Sequence, residues 1–233
     1  MLLNLDREDV EFLKERYSAL IISQENPLKI SGTLKFHAKF KEEVIRDNYE
    51  IELEHVDGRV FPRVKEIGNK IADVAREKNK RLEDMHINKG DANSACLCSP
   101  LEEKLYEKQD LSVRLFIEKY VVPFFYEQSY FRENNVWPWG EYGHGIIGVL
   151  ESYLDYKTEE ETVRLFLQVL KEHCVKYNIN YNRYSEQLKQ KTIRGRNRCP
   201  VCASGIRWEK CHEKSLEALR KLKKDMEIFS VEI

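Results

Sequence analysis

The chain opens with a segment whose apolar residues recur at helical spacing. Asp6 precedes this segment and suits an N-cap, because its carboxylate can accept a hydrogen bond from a backbone N–H of the first turn. Residues 6–23 are therefore predicted to form an amphipathic helix. Its apolar face comprises Val10, Leu13, Tyr17, Leu20 and Ile21.

Beyond residue 27 the apolar period changes from helical to alternating, which is typical of strands with one buried face. Three strands are predicted, with the apolar members Leu28, Ile30, Leu34, Phe36 and Ala38, then Tyr49, Ile51 and Leu53, then Val60, Pro62 and Val64. Asp57 and Gly58 supply a turn before the third strand. Ser31 and Gly32 predict a bend or bulge in the first. A helix followed by an antiparallel meander indicates the α+β class.

The rest of the chain is mainly helical in pattern. Residues 68–85 are charged and compatible with a helix in an exposed insertion. Residues 110–133 predict a long helix that Pro123 must kink or restart, and further helices are expected at 145–156 and 158–177. Cys174 falls on the apolar side of the last of these and is predicted to be core. The apolar face of the long helix comprises Leu115, Phe116, Tyr120, Phe124 and Phe125.

Composition places the chain among folded, water-soluble proteins. Its 233 residues suffice for one large or two small domains, and 42% hydrophobic with 34% charged content argues against disorder. No apolar run approaches the roughly 18 residues of a membrane span, and the N-terminus lacks the features of a signal peptide. We therefore expect a cytoplasmic protein, in which six cysteines serve catalysis or metal binding rather than disulfides.

Charge is distributed unevenly along the chain. Residues 183–224 carry 13 Lys and Arg against four Glu, a net +9, so the remainder of this chain of net charge −1 carries −10. Such a basic segment can mark nucleic acid or an acidic protein partner. The charges are spread among turns and a helix, which favours a solvated surface instead. Nucleic-acid binding is not expected on this pattern.

A polar loop from His86 to Cys98 holds the first candidate chemistry. Asn88 follows His86 by two residues, and Cys96 follows Asn88 by eight, after a cluster of turn-forming residues that should leave the thiol accessible. A thiolate forms thioesters readily. The Asn88 carboxamide is a neutral donor that can hold the loop or stabilise an oxyanion. The alternative is a packed Cys96 beside a structural turn, and the residues alone favour neither interpretation.

The spacing of His86, Asn88, Cys96 and Leu97 resembles the His-Pro-Asn…Cys-Leu signature of ubiquitin-conjugating enzymes, with Ile87 in place of the proline. Phe61-Pro62 is similar to the family's Tyr-Pro strand, although the run from there to His86 is longer than usual. The resemblance implies a UBC-like fold over residues 1–110, made of an N-terminal helix, an antiparallel meander and an active-site loop. It also implies a transferase in which Cys96 carries a thioester.

Cys98 and His144 are two further candidate residues, and the sequence allows more than one role for each. Cys98 could take over the acyl group, form a strained regulatory disulfide with Cys96, or simply pack. A thiol redox role for this pair is a weaker alternative. His144 follows two tryptophans in a Gly-rich stretch that is similar to one in bacterial relatives of the family. It is either a base or orienting group over the Cys96 loop, or a hydrogen-bonded histidine in an aromatic corner, which we favour.

The second candidate site is a metal centre. Cys199, Cys202, Cys211 and His212 combine one Cys-x-x-Cys knuckle with a later Cys-His pair, a ligand set typical of a closed structural zinc site. The spacing resembles the SEC-C motif, with one extra residue in the first knuckle. We expect a structural Zn²⁺ held by these four residues. The domain prediction is then a UBC-like domain at 1–110, a helical extension docked on it at 111–190, and a zinc knuckle with a terminal helix at 191–233.

The function expected from the resemblance is a ubiquitin-conjugating-like transferase in antiviral defence. Cys96 would accept the C-terminal glycine of a partner protein as a thioester and pass it to an amine or a thiol. Components of bacterial antiphage operons that the chain resembles imply a cGAS-like nucleotidyltransferase as this partner. Other relatives use an activating enzyme and a ubiquitin-like modifier. The alternative is a catalytically inactive UBC-like adaptor that binds a protein or nucleic acid through its zinc knuckle and basic tail.

Overall fold

The computed structural model describes residues 5–23, 28–56, 59, 61–106, 112–202 and 204–233. They group into two compact units, the first Met1–Cys98 with Tyr106–Gly140 and the second Ser99–Leu105 with Glu141–Ile233. These limits differ from the predicted boundaries at 110 and 190, and the three-domain assignment stays a prediction. Among the described residues, no helix combines the length and the apolar character needed to cross a membrane.

Helix α1 (Arg7–Arg16) opens the first unit, and its start agrees with the sequence prediction. The Asp6 carboxylate accepts a hydrogen bond from the backbone N–H of Asp9, which satisfies one of the free donors of the first turn. The predicted extent of this helix, to residue 23, is wrong. The helix ends at Tyr17, and Leu20–Ser23 form strand β1 instead, because the backbone of these residues pairs with the next strand.

Four strands form one antiparallel sheet in the order β1-β2-β3-β4, with β2 at Lys29–Phe40, β3 at Glu43–Glu54 and β4 at Arg63–Glu66. This confirms the α+β class and the predicted meander. The buried residues alternate along β2 and β3, and they include Ile30, Leu34, Phe36, Ile45, Tyr49, Ile51 and Leu53. The predicted turn at Asp57 and Gly58, and the place of Val60 in the third strand, lie outside the described residues.

Gly32 is a site of close backbone approach rather than a bulge. The pairing of β2 with β3 runs without interruption from Lys29 to Phe40, so no extra residue is accommodated there. Gly32 has a φ of 131°, and a Cβ at this position would lie 2.3 Å from the carbonyl oxygen of Ala19. Only glycine permits both features. Of the two predicted alternatives, a bend or a bulge, the bulge is therefore wrong, although glycine is needed at this position.

Between the sheet and the candidate loop the chain forms helix α2 (Lys70–Glu77) and a 3₁₀ turn (Leu82–Met85). Helical structure here agrees with the prediction, but the expected exposed insertion is wrong. Ile71, Val74 and Met85 are buried in the core of the first unit. The charged residues Asp73, Arg76 and Glu77 of α2 are exposed, whereas Lys70 forms an ion pair with Asp47 of β3. The segment is therefore an integral part of the first unit.

The predicted long helix is present as α4 (Val113–Phe116), a π-helical turn (Ile117–Val121) and α5 (Val122–Asn134). Proline has no N–H to donate to the preceding turn, and a wider turn directly before Pro123 lets the helix continue. Phe125 packs against Tyr49 of β3 with ring centroids 4.6 Å apart, so the helix covers the sheet. Leu115, predicted on the apolar face, is exposed. Its neighbours on that face, Phe116, Tyr120, Phe124 and Phe125, are buried as predicted.

The second unit is helical. It contains most of α3 (Pro100–Tyr106), then α6 (Ile146–Ser152), a 3₁₀ turn (Tyr153–Asp155), α7 (Glu160–Lys176), α8 (Asn182–Lys189), α9 (Trp208–Cys211) and α10 (Glu213–Phe229). The predicted helices at 145–156 and 158–177 are thereby confirmed to within a few residues. Cys174 is fully buried on α7, as predicted, and burial raises the pKa of its thiol to about 11.

Candidate active-site loop and metal centre

A small hairpin, made of two strands of two residues each, carries the candidate nucleophile at its end. Strand β5 (Ile87–Asn88) pairs with β6 (Ser94–Ala95), and the Cys96 N–H donates to the His86 carbonyl at 2.8 Å directly beyond that ladder. Cys96 is exposed and lies on irregular backbone, where the sequence placed it. The accessible-thiol interpretation therefore fits the structure, and a Cys96 sealed inside the core does not.

Asn88 is a predicted partner of that thiol on the same hairpin. It pairs with Ser94, two residues before Cys96, so Asn88 and Cys96 are diagonal neighbours across the ladder. Diagonal neighbours in antiparallel pairs lie about 7–8 Å apart, within reach of a group bound between them. Asn88 is exposed, and its carboxamide makes no hydrogen bond with any residue that the structure describes. Its side chain is therefore not committed to bracing the loop.

The loop is braced by Asp91, which the sequence marked only as a turn former. Its carboxylate accepts hydrogen bonds from Ser94 Oγ at 2.7 Å and from Arg63 Nη2 at 2.8 Å, and it forms an ion pair with Arg59. Partial burial alone raises the pKa of Asp91, but the bonds from Ser94, Arg63 and Arg59 outweigh it and hold this pKa far below its ordinary value. A fixed anion thus ties the turn to β4.

His86 occupies the start of the hairpin in the left-handed conformation, with φ of 55°. Its ring meets Trp137 edge to face with centroids 4.7 Å apart, and Trp137 stacks on Phe131 of α5 at 4.4 Å. The buried Gln128 donates from Nε2 to the carbonyl of Met85 at 3.0 Å. Helix α5 therefore positions the residues just before His86, and the histidine serves as part of the framework of the loop.

The two remaining predicted residues, Cys98 and His144, belong to different units. Cys98 is half-buried and packs against the core of the first unit, as does Leu97. His144 belongs to the second unit, so its suggested place over the Cys96 loop stays a prediction. In the described residues of the first unit, the structure brings together Cys96, Asn88 and His86 around one hairpin.

The second cysteine cluster forms a compact donor set. One ligand atom from each of Cys199, Cys202, Cys211 and His212 lies within 4.8 Å of all the others. Cys211 Sγ is 3.2 Å from Cys202 Sγ and 3.1 Å from His212 Nδ1, and Cys199 Sγ is 3.4 Å from His212 Nδ1. Sulfur and imidazole donors at these separations can share one ion. The four residues predicted from spacing could therefore bind a metal ion together.

A short antiparallel bridge and a buried tryptophan hold the metal centre. Arg198 and Arg207 are bridge partners, and the Cys199 N–H donates to Ile206 O at 3.0 Å. Trp208 is fully buried, and its Nε1 donates to Ser215 Oγ of α10 at 3.0 Å. Cys211 is the last residue of α9 and His212 directly precedes α10, so the junction of these two helices positions the last two candidate ligands.

No protein-family model, curated protein or solved structure matches the chain at a significant level. The resemblance to ubiquitin-conjugating enzymes therefore rests on its motif and on the order of elements in the first unit. The chemistry of the two sites is argued from their geometry.

Proposed function

We propose that the chain is a cysteine acyl transferase of the ubiquitin-conjugating type, with Cys96 as the residue that carries the acyl group. The proposal is carried by one observation, an exposed thiol at the end of a braced hairpin. A thiol that only packs is buried, as Cys174 is in the second unit.

Two features of the loop support this role. The ion pairs of Asp91 hold the turn, so the backbone that carries Cys96 is fixed before an acyl group arrives. The carboxamide of Asn88 is exposed on the same hairpin and has no structural partner among the described residues. It is the donor that would stabilise the oxyanion when the thioester carbonyl is attacked.

The reaction has two balanced steps. The Cys96 thiolate attacks the carbonyl carbon of an activated C-terminal glycine, a new S–C bond forms, and the activating group leaves with the electron pair of its bond to that carbon. An amine or a second thiol then attacks the thioester, the S–C bond breaks, and Cys96 leaves as thiolate while the attacking group loses its proton to solvent. Asn88 donates to the carbonyl oxygen in the second step, when negative charge develops on it.

The acyl donor is proposed from the resemblance alone. It would be the C-terminal glycine of a partner protein, a cGAS-like nucleotidyltransferase in an antiphage operon, supplied through an activating enzyme. The cysteine content is in keeping with a reducing, cytoplasmic setting for such chemistry. Variants of the hairpin residues Cys96 and Asn88 test the proposed reaction itself.

Intact mass spectrometry of the chain co-expressed with its operon neighbours tests the transferase proposal. The wild-type protein should carry a covalent adduct that reductant or hydroxylamine removes. Cys96→Ala should carry none, and Cys96→Ser should retain an ester that resists reductant. Cys98→Ala is the matched control and should keep the adduct. An adduct on Cys98 alone, or none with any variant, would refute the role of Cys96 and leave a binding adaptor.

Asn88→Ala separates loading from transfer. Because the carboxamide acts on the oxyanion and has no structural partner, loading should persist while discharge to an added amine slows by roughly 100- to 1000-fold. Unchanged discharge would mean that Asn88 has no part in the reaction.

For the second site we propose a structural Zn²⁺ bound by Cys199, Cys202, Cys211 and His212. A tetrahedral zinc ion with Zn–S bonds of about 2.3 Å separates its ligand atoms by roughly 3.5–3.8 Å, close to the separations in this cluster. Four protein ligands leave no open position for catalysis. Total-metal analysis should give one zinc per chain. A purified, folded chain without zinc would contradict this assignment.

A further inference from the structure

Five basic residues lie on or beside the short hairpin that carries the candidate metal ligands Cys199 and Cys202. Arg194, Arg196, Arg198, Arg207 and Lys210 are all exposed, and we refer to them as the basic face. None of the five makes a side-chain hydrogen bond or ion pair with any residue that the structure describes. Elsewhere in this chain of 39 basic and 40 acidic residues, many basic side chains are paired with a carboxylate.

Two of these residues are placed directly opposite each other. Arg198 and Arg207 are partners in an antiparallel bridge, flanked by hydrogen bonds from Cys199 N to Ile206 O at 3.0 Å and from Trp208 N to Asn197 O at 2.9 Å. This pattern defines a non-hydrogen-bonded pair, in which the Cα atoms lie about 4.5 Å apart and both side chains project from the same side. Like charges in this position destabilise a ladder.

The two backbone segments that carry the basic face are packed closely together, so their arginines cannot move apart by a shift of the backbone. The Glu209 N–H donates to Gly195 O at 3.0 Å. A Cβ on Gly195 would lie 2.9 Å from Glu209 Cβ and 2.8 Å from a methyl carbon of Leu216. The two segments are thus packed closely on each other and on α10. The like charges are held together by the fold rather than by partners of their own.

Acidic residues in the described part of 189–210 are too few to balance these charges. Glu209 is the sole acidic residue in the described part of 189–210 and supplies one negative charge. A divalent ion with three thiolates and a neutral imidazole carries a net charge of −1 and supplies one more. Lys189 and Lys191, both exposed and likewise without side-chain partners among described residues, add to the excess.

We infer that the basic face binds the phosphate backbone of nucleic acid. Protein interfaces have an apolar centre that is depleted of charge, whereas Ile206 is the one large exposed apolar side chain described between residues 194 and 210. Interfaces with nucleic acid are polar and strongly positive. Trp208 is fully buried, so it offers no ring for base stacking. The face therefore recognises phosphates without reading sequence.

Fluorescence anisotropy of the full-length, zinc-loaded chain with a labelled random duplex of about 20 base pairs tests the inference. The association constant should fall steeply between about 50 and 200 mM NaCl. Arg198→Gln with Arg207→Gln removes two phosphate contacts, so the slope of log K against log salt should decrease by roughly 1.8, and binding at low salt should weaken by about tenfold. The matched control is Lys14→Gln with Lys35→Gln, two exposed lysines of the first unit, which should leave binding unchanged.

The variants also report on their own folding. Removing the opposed charges should keep one metal per chain and should raise the melting temperature slightly, because repulsion across the bridge is relieved. The inference is overturned if the wild-type chain shows no salt-dependent binding, or if the lysine control weakens binding as much as the arginine pair does. A polyglutamate peptide that binds more tightly than the duplex, with the same dependence on Arg198 and Arg207, would instead identify an acidic protein partner and overturn it as well.

Discussion

Replacing Asp91 by asparagine removes the charge that braces the Cys96 loop and keeps the shape of the side chain. Asp91 forms ion pairs with Arg59 and Arg63 and accepts a hydrogen bond from Ser94. The carboxylate is 29% exposed and the two arginines 34% and 21%, so water screens both pairs. At about 0.2–1 kcal/mol for each screened pair and about 1 kcal/mol for the hydroxyl bond, the variant should lose about 2 kcal/mol of unfolding free energy.

The pH dependence of this loss has a definite sign. The pKa of Asp91 is held well below its ordinary value in the folded chain, so its stabilisation is fully present above the unfolded-state pKa of about 3.9. It is lost as the pH falls from there through the folded-state pKa. The difference between wild type and Asp91→Asn should therefore stay constant from neutral pH to about 5 and shrink below about 4.

Urea unfolding and amide hydrogen exchange measure this effect. The Ser94 N–H donates to Asp91 O and the Cys96 N–H to His86 O, so exchange at both amides should accelerate by at least about tenfold if the loop opens more often. Asp73→Asn is the matched control, since Asp73 pairs with Arg76 on the exposed side of α2 and should cost less than about 0.5 kcal/mol. Equal losses for the two variants, or unchanged exchange at Cys96, would refute the bracing role of Asp91.

Two further predictions follow from close packing and from the metal centre. Gly32→Ala should cost roughly 1–3 kcal/mol of unfolding free energy, because the new Cβ would collide with the carbonyl oxygen of Ala19 at a positive φ. Gly90→Ala should change it by less than about 0.5 kcal/mol, since nothing lies within 4 Å of that position, and equal effects in urea titrations would contradict this. Cys211→Ser should lose most of the bound metal by elemental analysis and lower the melting temperature of the second unit, as should a chelator. Cys174→Ala should keep its metal, and a metal content that falls equally in both variants would contradict the assigned ligand set.

Most of the fold could be predicted from the local periodicity of apolar residues. Apolar residues alternate along the strands, as at Leu34 and Phe36, and only an extended strand places all of them on one buried face. Phe116 and Phe124 recur at helical spacing, and only a helix buries both on one side. The same rule failed at Leu20, which suits a helical face and also a strand. The outcome there depended on pairing with residues around Gly32, and spacing within the segment does not report on that contact.

The candidate sites differ in how far sequence could predict them. The four candidate metal ligands were predictable because cysteine and histidine are the donor types that zinc prefers and the Cys-x-x-Cys spacing is local. Asp91 was not, because its partners Arg59 and Arg63 precede it by 32 and 28 residues. The sequence around a carboxylate in a turn does not indicate which distant arginine or lysine side chains pair with it.

The amino-acid sequence by itself determined the α+β class, the helical second half, the exposed Cys96 loop and the identity of the four candidate metal ligands. Each of these depends on periodicity, turn chemistry or donor type within a short segment. The tertiary structure decided that Leu20–Ser23 join the sheet and that α2 packs in the core. It also decided that Asp91 forms ion pairs with two arginines and that Arg198 lies opposite Arg207. These features arise from contacts between different segments of the chain, where the free energy of packing overrides local preference.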